Sequence, residues 1–428
     1  MVCNGAMSGR RLLAMVGATL ALAAALPAGV PAAAALPAGA TAAGDGQAEV
    51  PRRLHDPWLW QATVGQRPVG PATVVFHTDQ TRYFESTGVL VGRDGGYRLL
   101  YQDIGEDDGL LSPDGRHYLR PGRGTLIDLT TGDERPTHPR GIRALAWSPD
   151  GRTVLGTRDN DDAVITYGPD GQALNDPAHP DTLVTVDPFS GAERRVDPGP
   201  YASHAAGAWS PDGALVAVAG PPDEAAVISG RQRLTVLDPA TGRVSWRVDL
   251  DERHALAGRG AWSPDGRRVA LLAVDGCTTR CRDDAELVAQ AWRLEFLDAA
   301  TGRPVGIPVP VDGLAEELLG WQGADPVVER HSRDEDSHAR HTEIVAVGPG
   351  AGERVLVTAP AASTGIEIPG QLLTRAAYGQ GEPRPSPWAA PYWLYGVLLV
   401  VPGLAAALIV WWRRRRRPAP ADPVATAD

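Results

Sequence analysis

The residues AWSPDG occur at Ala146–Gly151, again at Ala208–Gly213 and again at Ala261–Gly266, with a weaker copy, LLSPDG, at Leu110–Gly115. Each copy spells a tight reversal. Ser opens the turn, Pro presets φ at the second position, Asp suits the third, and Gly accepts left-handed φ at the fourth. Strand-forming residues follow each turn: RTVLGT at Arg152–Thr157, ALVAVAG at Ala214–Gly220 and RRVALLAV at Arg267–Val274. Each copy therefore predicts a β-hairpin.

A second piece recurs downstream of each hairpin. It reads LIDLTTGDERP (Leu126–Pro136), LVTVDPFSGAERRV (Leu183–Val196), LTVLDPATGRVSWRV (Leu234–Val248) and LEFLDAATGRPVGIPV (Leu294–Val309). This is again strand, Asp-containing Gly turn, strand. The repeating unit is then four strands, and such units joined head to tail predict an all-β chain closed as a β-propeller. Clear units span about 105–140, 141–200, 201–252 and 253–312, with degenerate ones at about 58–104 and 313–375. The count is six four-stranded blades, or seven if Leu54–Pro71 belongs to a blade of its own. An open solenoid suits the pattern less well, because paired short hairpins favour radial closure, which protects sheet edges.

The Ser-Pro-Asp-Gly hairpins resemble the WD40-like, or PD40, repeat of TolB-type β-propellers, over roughly Trp58–Leu373. The resemblance implies the fold and not a role. TolB-type proteins carry an additional N-terminal domain, which is not expected within this sequence. Within the repeat, Trp147, Trp209 and Trp262, with Trp321 in the matching place, are expected to fill the space between blades. Asp150, Asp212 and Asp265 are expected to build the turns.

The ends read differently. Arg10 and Arg11 precede the apolar run Leu12–Leu26 and then small residues, the order of a secretory signal peptide over 1–43. A retained anchor is the alternative. A linker over 44–57 leads to the propeller at 58–375, and a Pro-rich stalk over 376–391 leaves it. Tyr392–Trp412 then carries 21 uncharged residues followed by Arg413–Arg417. This predicts one C-terminal transmembrane helix over 392–412, with a basic tail, 413–428, in the cytoplasm. The propeller would lie outside, tethered to the cell membrane.

Fifty of the 52 acidic residues but only 34 of the 41 basic ones lie between those ends, a formal charge near −16. Such a surface repels nucleic acid, and no basic patch is interleaved with aromatics. The two cysteines left after the leader, Cys277 and Cys281, read as a disulfide in an exported protein.

In a repeat fold, function sits where repeats differ. Three insertions follow the first hairpins of their blades: Arg158–Asp181, Asp275–Gln290 and Arg330–His341. They should emerge on one side of the disc, the expected binding face. Candidate binding residues there are Asp159, Asp161 and Asp162 in the first insertion, and His331, Asp334, Glu335, Asp336, His338 and His341 in the last. Imidazoles and carboxylates could hold a metal, but the spacing matches no metal motif, so no cofactor is expected. G-x-S-x-G, H-E-x-x-H and G-x-x-x-x-G-K-[ST] are all absent. The expected function is non-catalytic binding of an envelope protein, a peptide or a cell-wall glycan. The alternative is a lyase- or glycosidase-type enzyme using carboxylates or His204 and His254 near the central channel.

Overall fold

The computed structural model describes residues 49–415 apart from 79–86, 101–108, 121–123, 138–141, 159–165, 168–172, 175–180, 202–204, 223–230, 279–280, 282–285, 287–288, 334–339, 349–351, 362, 376, 379–381 and 387–389. Residues 1–43, read above as a signal peptide, and most of the basic tail lie outside the described residues, as do Asp159, Asp161, Asp162, His204, Asp334, Glu335, Asp336 and His338.

Six four-stranded antiparallel sheets form the body. Blade 2 runs through Leu110–Leu111, His117–Arg120, Thr125–Asp128 and Glu134–Pro136. Blade 3 has Ile142–Trp147, Val154–Arg158, Asp181–Val186 and Glu193–Tyr201. Blade 4 has Ala206–Trp209, Val216–Gly220, Gln232–Leu237 and Val244–Leu250. Blade 5 has His254–Leu256, Arg268–Asp275, Ala291–Asp298 and Val309–Val311, and blade 6 has Leu314–Gln322, Asp325–Arg333, Arg340–Gly348 and Gly352–Thr358. The architecture is a six-bladed propeller, and among the described residues Leu54–Pro71 makes no four-stranded blade of its own.

Blade 1 is built from both ends of the ring. Ala72–Thr78, Thr87–Gly92 and Tyr97–Leu100 supply three strands, and Thr364–Glu367 supplies the innermost one, pairing Val75 with Glu367 and His77 with Thr364. This four-residue strand closes the circle without a covalent link. Nearby, Glu49–Val50 pairs in parallel with Ala377–Tyr378, and Val50 and Leu54 are buried. Thr63 bridges to Leu99, so the outer edge of blade 1 is covered.

The repeated turns are alike in atomic detail. In the turn at Ser148–Gly151, the Ser148 hydroxyl donates to Asp150 Oδ1 at 2.6 Å and accepts from Thr153 N–H at 2.9 Å, while Arg152 N–H donates to Asp150 at 3.1 Å. Ser210 and Asp212, and Ser263 and Asp265, make the same bonds. The glycines have φ near 70°, which side chains rarely adopt. Successive turns also stack. A Cβ on Gly151 would lie 3.6 Å from Pro113, and one on Gly213 3.9 Å from Pro149.

These turns carry an acid-stability prediction. The Ser148, Ser210 and Ser263 hydroxyls, with the adjacent backbone N–H groups, hold Asp150, Asp212 and Asp265 below the usual carboxylate range. A depressed folded-state pKa stabilises the fold above the ordinary carboxylate value, and that contribution is lost as pH falls through the depressed one. The triple variant Ser148→Ala, Ser210→Ala, Ser263→Ala should therefore lose stability near neutral pH and show a flatter Tm between about pH 5 and about pH 3. A wild-type Tm independent of pH across that range would contradict the assignment.

A different outcome awaits the C-terminal segment. The chain is helical over Tyr392–Arg415 (α2), as its apolar run predicts, but Pro402 lies inside the helix. Among the described residues no helix is long and apolar enough to cross a membrane. The transmembrane assignment of 392–412, and the membrane as a partner through it, is corrected accordingly.

Candidate functional site

The six inner strands surround a cavity of about 560 Å³. It opens on the side of the Ser-Pro-Asp-Gly turns, because its wall carries the ends of those strands: Trp147, Trp209, Trp262 and Trp321, with Pro113, Pro149, Pro211 and Pro264 beyond them. Blade 1 contributes Glu367 and Ile368 from the closing strand. The repeat therefore builds the ring and lines its mouth.

Each indole stitches two blades together. Trp147 Nε1–H donates to Leu110 O at 3.2 Å, Trp209 to Ala146 O at 3.2 Å, Trp262 to Ala208 O at 3.3 Å and Trp321 to Gly260 O at 2.9 Å. The acceptor lies in the preceding blade, or just before its corresponding Trp, in every case. A buried indole N–H without a partner is costly, so each bond specifies how far one blade sits from the next. It also uses up the only donor the indole has. The Trp and Pro wall can therefore offer a ligand apolar surface but no side-chain hydrogen bond.

Polar groups gather on the opposite wall. The helix Gly370–Arg375 (α1) follows the closing strand and adds Gln371, Leu373, Thr374 and Arg375 to the lining. It is anchored where Gln371 N–H donates to Pro113 O at 3.0 Å and Leu373 packs on Gly320. A Cβ at Gly320 would come within 2.7 Å of Leu373, so the close seat of α1 requires glycine there.

Beneath α1 lies a charged cluster that the repeat pattern did not announce. Arg259, just before the blade 5 turn, bonds Glu317 of blade 6 through Nε at 2.9 Å and Nη2 at 3.0 Å, and its backbone N–H adds a third bond at 2.8 Å. Its Nη1 pairs with Glu367 of the closing strand. Burial alone would raise Glu317, but the Arg259 charge and hydrogen bonds outweigh it and hold the carboxyl below its usual range. Glu329, 3% exposed, accepts from Ile366 N–H at 3.0 Å. Burial pushes Glu329 up to about 8; the Ile366 bond opposes this, and the neighbouring Glu316 and Glu317 charges add to it. Sequence reasoning missed these residues because Arg259 and Glu317 are 58 positions apart and Arg259 and Glu367 are 108 apart.

The residues singled out from sequence lie elsewhere. His331 belongs to the second strand of blade 6 and is buried, with Nε2 2.6 Å from Glu316 Oε1 and Nδ1 3.1 Å from Thr342 Oγ1. Ser332 faces His341 across that hairpin, one register position along from His331 and Thr342. His254 sits between Asp251, at 2.5 Å, and Glu295, at 3.3 Å, and is not part of the cavity wall. Among the described residues no group of three or more His, Cys, Asp and Glu is placed to hold a metal ion. Cys277 and Cys281 are joined as a disulfide, and Gln290 Nε2 donates to Cys277 O at 2.7 Å. The candidate loops join the second and third strands of their blades, so they leave from the end opposite the Ser-Pro-Asp-Gly turns and the cavity mouth.

No protein-family model matches the chain, and no curated protein matches it. Among solved structures it is similar to TolB from Acinetobacter baumannii, with 15% identity and a TM-score of 0.40, over 68% of this chain and 66% of that one, just under two thirds of its length. It is similar also to an oligogalacturonate lyase in complex with manganese, with 15% identity and a TM-score of 0.41, over 71% of this chain and 78% of that one. A chain of a nidogen/laminin complex matches with 11% identity and a TM-score of 0.38, over 70% of this chain and 99% of that one. The fold assignment rests on the order of strands within the six sheets.

Proposed function

We propose that this chain is an exported, non-catalytic binding propeller, and that its ligand enters the central cavity from the side of the Ser-Pro-Asp-Gly turns. The observation that carries the reading is the division of the cavity wall. One part is Trp, Pro and Leu with every indole N–H already bonded; the other holds a few polar groups on α1 and the closing strand. An apolar cavity with a few convergent polar groups is the usual form of a binding site. The charged residues at its base, Arg259 and Glu367, are paired with each other, which suits structure better than acid–base chemistry. Export is supported by the Cys277–Cys281 disulfide, a bond that persists in oxidising compartments.

The ligand class that fits is an extended peptide, from a protein partner or free, carrying apolar side chains toward the Trp and Pro wall. A cell-wall glycan is the second candidate, since sugar rings also pack on aromatic faces. Thr374 is exposed on α1 and lines the cavity, so a larger side chain there fills the mouth without entering the core. A random-peptide display library panned on the wild-type protein should enrich binders that Thr374→Trp fails to retain, at least tenfold fewer at equal stringency. Equal retention by both proteins would place the binding surface elsewhere. Turnover of an oligosaccharide, abolished by Thr374→Trp, would favour the enzyme alternative.

A further inference from the structure

The ring is closed by four residues, Thr364–Glu367, and two neighbouring contacts at the C-terminal end of this strand run through carboxylates. Glu367 is held by Arg259, and Ile366 N–H is held by Glu329. Three residues beyond Glu367 begins α1, which lines the cavity. Strand and helix are consecutive, so whatever loosens the strand also loosens this wall of the cavity. We propose that Glu329 is a proton-controlled latch: protonated, it leaves the closing strand seated and the cavity wall complete; ionised, it favours release of the strand and α1. The latch itself rests on the seam, and its effect on binding rests on the cavity being the ligand site.

The groups facing Glu329 decide the sign. From the first strand of blade 6 come Glu316 and Glu317, and from the segment before the blade 5 turn Arg259, which also pairs with Glu367 of the closing strand. Two residues along its own strand, His331 is bound to Glu316. Arg259 is the only cation of this group with bonds to two of its carboxylates, Glu317 and Glu367. It therefore has little left to neutralise a further negative charge on Glu329. Ionisation adds that charge in a site 3% exposed, next to other carboxylates.

The linkage gives a slope. A carboxyl whose folded-state pKa is raised stabilises the closed form at low pH, and that advantage is lost as pH rises from the ordinary carboxylate value to the raised one. Above that window the ionised group sits in place and the loss is complete. If opening exposes Glu329, the opening equilibrium grows by about tenfold per pH unit in the window and levels off beyond it.

Amide hydrogen exchange of the peptide covering 364–375 tests this without any ligand. Measured on the full chain from about pH 6 to about pH 9 and divided by the intrinsic exchange rate, protection should fall by about tenfold per unit up to about pH 8 and then flatten. Glu329→Gln keeps an acceptor for Ile366 N–H and cannot ionise, so its corrected protection should be independent of pH. The same slope in wild type and Glu329→Gln, or no slope in wild type, would overturn the latch. If Glu329→Gln does not fold, carboxyl ¹³C NMR of the wild type decides instead. One glutamate titrating near pH 8 together with the loss of protection supports the latch, and no glutamate titrating above the ordinary range overturns it. Failure here leaves the cavity reading standing, whereas indifference of the peptide library to Thr374→Trp removes the cavity reading and leaves the latch intact.

Discussion

Replacing Arg259 with alanine should cost about 3 kcal/mol of stability and open the ring at its one non-covalent joint. The side chain serves three segments at once: its own, before the blade 5 turn, Glu317 on the inner strand of blade 6, and Glu367 on the closing strand. Removing it strands two carboxylates whose side chains are 23% and 11% exposed. Breaking a buried ion pair from one side is strongly destabilising, because the remaining charge loses its partner without regaining water. The lower end of the usual range applies, since Arg259 itself keeps 29% exposure toward the cavity. Arg259→Lys should recover only part of the loss: an ammonium cannot reproduce the planar fork that holds Glu317 by two side-chain bonds. Urea unfolding checks both, and limited proteolysis should cut Arg259→Ala first in 364–378. An alanine variant within about 0.5 kcal/mol of wild type would show that the seam is held by backbone pairing alone.

Trp262→Ala should cost as much or more, about 3–5 kcal/mol. This indole is 4% exposed and packs within the cluster shared by blades 4, 5 and 6, beside Ala208, Ala261 and Trp321. Its loss leaves a void and removes the indole bond to Ala208 O at the boundary with blade 4. Trp262→Phe separates the two effects. It keeps most of the volume but not the N–H, and should cost about 1–2 kcal/mol. The contrast to make is with Trp209→Phe, at the next boundary, which loses the same bond from a less buried ring. Similar small losses for Trp262→Ala and Trp262→Phe would mean that the ring reshapes around the gap and that the indoles do not set blade spacing.

The two predictions concern different levels of the molecule. Trp262 belongs to a repeated device, so its environment recurs at Trp147, Trp209 and Trp321, each with its N–H donated across a blade boundary. Arg259 is unique to its blade and answers to the one place where the ring has to be closed. A repeat fold tolerates small defects at any one of several similar boundaries. A closure joint has no duplicate, so the loss of Arg259 has no similar contact elsewhere in the ring to offset it.

The six-blade count and the turn chemistry were legible in the amino-acid sequence because both are local. Ser148 and Asp150 are two residues apart, and the hydroxyl-to-carboxylate bond between them needs no tertiary help. The same holds for the Asp-Gly turns between third and fourth strands, where Thr241 Oγ1 donates to Asp238 at 2.7 Å and Ser190 Oγ to Asp187 at 2.7 Å. The apolar run after Tyr392 likewise read correctly as helix, while its reading as a membrane span did not carry over to the described helix. What only the tertiary structure decided was where the chain's late residues go. Thr364–Glu367 carries no turn motif and no distinctive period, yet it becomes the inner strand of the first blade. That placement follows from closing a circle, which leaves the first sheet with an open inner edge and the last stretch of chain beside it. The same closure brings Arg259, Glu317, Glu329 and Glu367 into one cluster from three separate segments, and no local pattern can encode a meeting that depends on the circumference of the ring.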